Sequence, residues 1–272
     1  AIVNMILDYI LVFGIGDFQP NMGIEGVAWA SVFAQVIMLV IVTIIAKRKT
    51  IFDLFPRVFK PNPEFKTMLI MSANMLIRTI ALNFTFYLAN RYSISYGENY
   101  LAAHSILINI WVFSFFFIDG FSNAGNAISG KLLGKKDFKA LSILSKDLVK
   151  YNLIVAGVLA LIFVALYPVL GSLFSNNEEV VSIFYSVFWI IIVAQFISGV
   201  TFTFDGIFKG LGETAYLRNT LVLATFLVFW PLSYLLDWYD FKLYGVWISF
   251  VTWNIFRGGS IIYLFRKKYY TT

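Results

Sequence analysis

The sequence predicts an all-α fold, a polytopic membrane helix bundle, on three observations. Hydrophobic residues fill 60% of the 272 positions and charged residues only 13%, with a mean hydropathy of +0.79. A soluble domain averages about 25% charged residues, and a core of this length cannot bury so much apolar sequence. The apolar residues fall into long runs that match the ~20 residues needed to span ~30 Å of hydrocarbon. The loops between them alternate between basic and non-basic, as in a chain that crosses a membrane repeatedly. Lipid is therefore the expected solvent, and the bilayer the first partner.

Composition removes several function classes. The aromatic content of 19% suits helix contacts and interfacial belts. The net charge of +6 comes from Lys and Arg at the ends of apolar runs, so no nucleic-acid partner is expected. There is no cysteine and one histidine, which excludes disulfides, thiolate catalysis and His-rich metal centres. No nucleophile–base set stands out, so no enzyme and no cofactor are expected.

Roughly eight stretches qualify as spans, in whole or in part. They are 1–13, 25–46, 67–91, 100–133, 147–174, 179–212, 215–236 and 243–265. The chain opens on AIVNMILDYILVF, already apolar and with neither an initiator Met nor a signal-peptide pattern. That start reads as the interior of a spanning helix, and a fragment is expected. The loops GIGDFQPNMG, SISYGEN, SNNEE and DWYDFK nearly lack Lys and Arg. The intervening ones hold Lys47–Lys66, then Lys135, Lys136, Lys139 and Lys146, then Lys209 and Arg218, and the C-terminus ends RKKYYTT. Basic loops belong inside, which puts both visible termini in the cytoplasm.

Residues 47–66, KRKTIFDLFPRVFKPNPEFK, form a long basic linker with Pro56, Pro61 and Pro63. Ile51, Phe52, Leu54 and Phe55 could lie on the membrane surface. Such a segment can join two mobile bundles or serve as an ordinary loop. A short internal echo, GIEGVAWASVF at 23–33 against LYGVWISF at 243–250, fits a parallel repeat. The run GNAISGK at 125–131 imitates a phosphate-binding loop, but Leu132 replaces the magnesium-binding hydroxyl and no strand precedes it. Gly125, Gly130 and Gly134 are better read as helix-packing positions.

Five ionisable residues lie well inside predicted spans, roughly 8–18 residues from a helix end: Asp8, Arg78, Asp119, Asp205 and Arg257. Placing a charge at the bilayer centre costs about 2.5–3.5 kcal/mol on insertion scales, so such residues are rare and often functional. Asp205 sits in TFTFDGIFKGLGE, followed by Gly206-xxx-Gly210, a spacing that lets helices approach closely. Its carboxylate has Lys209 one turn on and the arginines Arg257 and Arg78 as candidate partners. Arg78 and Asp119 lie near mid-span on consecutive helices, where either an ion pair or a functional role is open. Asp8 has no charged neighbour in its segment and is the better candidate for titration or ion binding. Asn83, Asn109, Gln195, Thr201, Thr203 and Asn254 add oxygens at depth, for cation coordination or interhelical hydrogen bonds. His104 is expected to hydrogen-bond at the outer interface, and Pro231 to kink the seventh span.

The runs NMILDYILVFG…GIEGVAWASVFAQ (4–35), LAAHSILINIWVFSFFFIDGFSNAGNAISGKLLGKKD (101–137) and FDGIFKGLGET (204–214) resemble the multidrug and toxic compound extrusion (MATE) transporters. The second run is closest to their DNA-damage-inducible branch. The resemblance implies a two-lobe, twelve-helix transporter in the inner (plasma) membrane. On that pattern residues 1–46 are the last two helices of the N-lobe, 47–66 the inter-lobe linker and 67–272 the six-helix C-lobe. It implies export of small organic compounds against entry of H+ or Na+. By position Asp8 matches the N-lobe carboxylate and Asp205 the tenth-helix carboxylate linked to coupling, while Asp119 and Arg78 match branch-typical positions. The expectation is that these residues, without the earlier N-lobe helices, do not transport alone. A lipid-linked oligosaccharide flippase and a non-transporting fragment are the alternatives.

Overall fold

The computed structural model describes residues 2–14, 22–49 and 64–269, and these form helices joined by short turns. The linker residues 50–63, with all three of its prolines, lie outside the described residues. Contacts divide the chain into two units, Ala1–Pro63 and Glu64–Thr272. Among the described residues six helices are long and apolar enough to cross a membrane, as the composition requires.

The first unit is a hairpin of α1 (Ile2–Phe13) and α2 (Gly23–Lys49). Gly26 makes it possible, because a Cβ there would stand 3.0 Å from the carbonyl oxygen of Leu11. Asn4 donates to the Ser31 hydroxyl at 3.3 Å across the same pair.

The second unit contains α3 (Phe65–Ser95), α4 (Glu98–Lys135), α5 (Phe138–Phe174) and α6 (Glu178–Gly210). A broken span follows, made of α7 (Thr214–Leu223), a π-helical turn (Ala224–Phe229) and α8 (Trp230–Trp238). The unit closes with α9 (Lys242–Tyr269). Helix α5 starts nine residues before the predicted span, because Asp137 accepts from the Ala140 N–H at 2.9 Å and caps an amphipathic extension that buries Leu141 and Ser145. Pro231 does not simply kink the seventh span. The turn before it is widened, and the Trp230 N–H reaches back five residues to the Thr225 carbonyl.

Helix α6 is the axis of this unit and packs on α4, α5 and α9. A Cβ on Gly206 would run into the Ser122 carbonyl, and one on Gly210 into the Asn126 carbonyl and the Ser129 hydroxyl. Because both are glycine, the α4 and α6 backbones touch, and Ser122 and Ser129 donate across to the carbonyls of Phe202 and Ile207 at 2.8 and 3.1 Å. Thr203 receives a 2.6 Å hydrogen bond from Asn152 on α5, and Thr201 donates to the Asn254 carbonyl on α9 at 3.2 Å. Gly125 and Gly130 sit in close contacts as expected, but a Cβ on Gly134 would meet nothing within 4 Å. Gly134 lies one residue short of the α4 C-terminus, where no neighbouring helix crosses.

Two apolar clusters fill the unit. One is rich in aromatics (Trp111, Trp247, Phe250 and Trp253). The other surrounds Phe204, Phe208 and Phe265, toward the end that carries Arg266, Lys267 and Lys268. His104 belongs to the first cluster. It is 1% exposed, edge-on to Trp247, and neither ring nitrogen has a partner among the described residues. The interfacial hydrogen bond expected of it is therefore replaced by packing among rings. Gly245 reproduces at the α8–α9 turn what Gly26 does in the first hairpin, since its Cβ would press on Leu236. The short sequence echo thus marks two equivalent hairpin closures. At the same end of the unit, the Tyr96 hydroxyl donates to Asp237 at 2.6 Å. Burial, then that bond and the charge of Asp237, raise the phenol above its ordinary pKa.

Candidate functional site

The candidate site lies where the two apolar clusters meet, and it is built by three helices. Asp205 is 1% exposed and stands five residues before α6 ends at Gly210. Arg257 reaches it from α9, with Nη2 at 2.6 Å from Oδ2. Arg78 reaches it from α3, with Nη2 at 2.8 Å from the same oxygen. Lys209 is not an ion-pair partner, and neither is Arg78 a partner of Asp119. Arg78 spans to α6 instead because its long side chain follows the α3–α9 contact inward. With one carboxylate and two guanidiniums, the cluster keeps a net positive charge.

Arg257 is fully enclosed. Its guanidinium stacks on Trp253 at 4.4 Å, faces Phe202 at 5.8 Å and donates to Asn254 Oδ1 at 3.3 Å. Trp253 is itself anchored, its Nε1–H donating to the Thr225 hydroxyl at 3.2 Å. Thr225 lies 2.9 Å from the Thr85 hydroxyl on α3. A closed ring results: Arg78 and Thr85 on one face of α3, Thr225 in the π-helical turn, Trp253 and Arg257 on α9, and Asp205 on α6. Sequence reasoning missed Thr225 and Trp253. Trp253 and Arg257 do stand four residues apart on one helix face, which was a usable signal.

The remaining candidates are scattered. Asp119 is half-buried and accepts from Asn123 at 2.9 Å, one turn along its own helix. Asn83 and Asn109 are exposed on α3 and α4, and Asn109 donates to the Ser105 carbonyl at 2.8 Å. Gln195 is fully buried in α6, and its amide has no partner among the described residues. In the other unit Asp8 is half-buried, and its Oδ1 is enclosed without a hydrogen-bond partner among the described residues. Within the second unit none of these residues joins the Asp205 cluster, and among the described residues no group of acidic, His or Cys side chains could hold a metal ion.

The class these features define is a multi-pass membrane bundle whose helices share buried charges. The family model MatE matches residues 74–235, more than half of the chain, and the chain belongs to the MATE family, whose members are transporters and not enzymes. It is 25% identical over 256 residues to Protein DETOXIFICATION 42 of Arabidopsis thaliana, a match covering 94% of this chain and 48% of the relative. It is 24% identical over 286 residues to DNA damage-inducible protein F of Escherichia coli, covering 98% and 57%. Its fold is similar to the outward-facing structure of a multidrug resistance MATE family transporter of the MOP superfamily, with a TM-score of 0.84 at 19% identity, covering 96% of this chain and 58% of that one. The chain spans about half the length of these relatives.

Proposed function

We propose that the chain is part of a secondary active exporter of small organic, drug-like compounds in the inner (plasma) membrane, driven by entry of protons or sodium. In this reading residues 1–46 end one lobe, 47–66 link the lobes in the cytoplasm and 67–272 form the second lobe. The division into units at Pro63 and the two equivalent glycine-closed hairpins support it. Both visible termini are then cytoplasmic, with the basic ends of the helices inside.

The observation that carries the proposal is a set of polar side chains that two membrane-crossing helices leave outside the packed core. Asn83 on α3 and Asn109 and Asn123 on α4 are exposed, and Asp119 is half-buried beside Asn123. Amides and a carboxylate are costly in hydrocarbon even where the helix satisfies one bond, as at Asn109 and Asp119, so these positions suit water or polar substrate. A hydrated path along α3 and α4 answers that need. The set holds amides and one carboxylate, not the cations that would favour a flippase.

The coupling role goes to Asp8 rather than to Asp205. Two guanidiniums already hold Asp205, so an entering cation meets net positive charge there. Among the described residues Asp8 has an enclosed carboxylate oxygen without a hydrogen-bond partner, and no arginine pairs with it. Asp205 then acts as a clamp on α3, α6 and α9.

Reconstituting the full protein in liposomes and imposing pH and sodium gradients separately tests this. Gradient-driven export of a fluorescent organic cation under one of the two is the expected result. Movement that ignores both gradients would overturn the antiport reading.

A further inference from the structure

Helix α9 is long, yet it is absent from the six helices apolar enough to cross by composition. Part of the reason is a strip of small and polar residues, Gly259, Ser260 and Tyr263, which faces α7 across a groove of about 480 Å³. Gly259 opens the groove, because a Cβ there would meet nothing within 4 Å. Leu223 and Phe256 line its inner end, and the phenols Tyr216 and Tyr263 stand at the other. From Tyr216 to Leu223 is about 10 Å of helix, which lies within the ~15 Å depth of one leaflet.

The phenol end of the groove is cationic. On α7, Arg218 lies beside the groove residue Asn219 and donates to its Oδ1 at 2.9 and 2.8 Å. Its third bond, 2.6 Å, goes to Asn74. Among the described residues its partners are thus amides, and its charge is not neutralised by a carboxylate. On α9, Lys267 is exposed one turn beyond Tyr263. Its neighbour Lys268 is different, since it is already paired with Glu213.

We propose that the α7–α9 groove binds an anionic glycerophospholipid, with an acyl chain along the groove and the head-group phosphate between Arg218 and Lys267. Tyrosines at the level of the head groups and, beyond them, cations with no carboxylate partner among the described residues are the chemistry that selects such a lipid. The inference is independent of the transport reading, because no residue lining the groove belongs to the Asp205 cluster or to the unit that holds Asp8.

The full protein in nanodiscs, supplied with phosphatidylglycerol or phosphatidylcholine bearing a photoactivatable acyl chain, gives the test. The expected result is adducts mapping to residues 216–223 and 256–264, with phosphatidylglycerol labelling in clear excess. Gly259→Leu, which fills open space, should lose those adducts, and Lys267→Gln should reduce phosphatidylglycerol labelling toward the phosphatidylcholine level. Equal labelling by the two lipids, or undiminished labelling of Gly259→Leu, would overturn the proposal. So would an absence of adducts from both lipids, which would mean that the groove is covered by protein.

Discussion

Arg78 on α3 and Arg257 on α9 share a single acceptor, the Oδ2 atom of Asp205 on α6, at 2.8 and 2.6 Å. One carboxylate therefore holds three helices that are far apart in the chain. An ion pair of this kind is costly to form in a dry interior and costlier to break on one side.

Removing the carboxylate should accordingly hurt stability first. Asp205→Asn leaves two guanidiniums against one neutral amide, at a cost of about 3–5 kcal/mol for a broken buried pair. Denaturation of the detergent-solubilised full protein measures it. Adding Arg257→Met to Asp205→Asn should recover part of the loss, because one stranded charge is removed.

The α4–α6 contact depends on two missing side chains. Gly206→Leu would drive a side chain into the Ser122 carbonyl and separate Ser122 from Phe202. Overpacking of this kind costs roughly 1–3 kcal/mol. The expected outcome is a lower unfolding midpoint, and Gly134→Leu, which faces open space, should leave that midpoint in place.

Thr225→Val tests the ring from its far side. It removes the bonds to Thr85 and Trp253 at nearly constant volume. Interhelical hydrogen bonds in membrane proteins are worth about 0.6–1.7 kcal/mol, and the loss should fall in that range. The intrinsic Trp fluorescence of the protein should shift as the Nε1–H of Trp253 loses its acceptor.

Much of this architecture was legible in the sequence. Apolar runs located the spans, the Gly206-xxx-Gly210 spacing marked a close helix contact that proves to be with α4, and Arg257 was already a candidate partner for Asp205. For Arg78 the sequence offers both Asp119 and Asp205 and does not choose between them. Adjacency along the chain pointed to Asp119, but a side chain as long as arginine is directed by helix packing, which has no local signal. His104 misled for a related reason. One polar residue near a helix start reads as interfacial, and only the convergence of Trp111, Trp247 and Phe250 makes that place a buried core. The π-helical turn was legible only as Pro231, since a proline reports a missing N–H and not how the preceding turn absorbs it.

The exposed amides make a separable prediction. Replacing Asn83 and Asn109 together by Leu should leave thermal stability close to that of the parent, because both side chains are exposed. Export of organic cations should fall, since the hydrated path loses its polar lining. Unchanged export by a stably folded Asn83→Leu, Asn109→Leu protein would remove α3 and α4 from the pathway.

The most direct measurement is gradient-driven export by Asp8→Asn in the full protein, reconstituted at equal density with the parent. Among the described residues no guanidinium pairs with Asp8, so its thermal midpoint should hold while ion-driven export is lost. Export at the parental rate from a normally folded Asp8→Asn protein would contradict the assignment of coupling to Asp8.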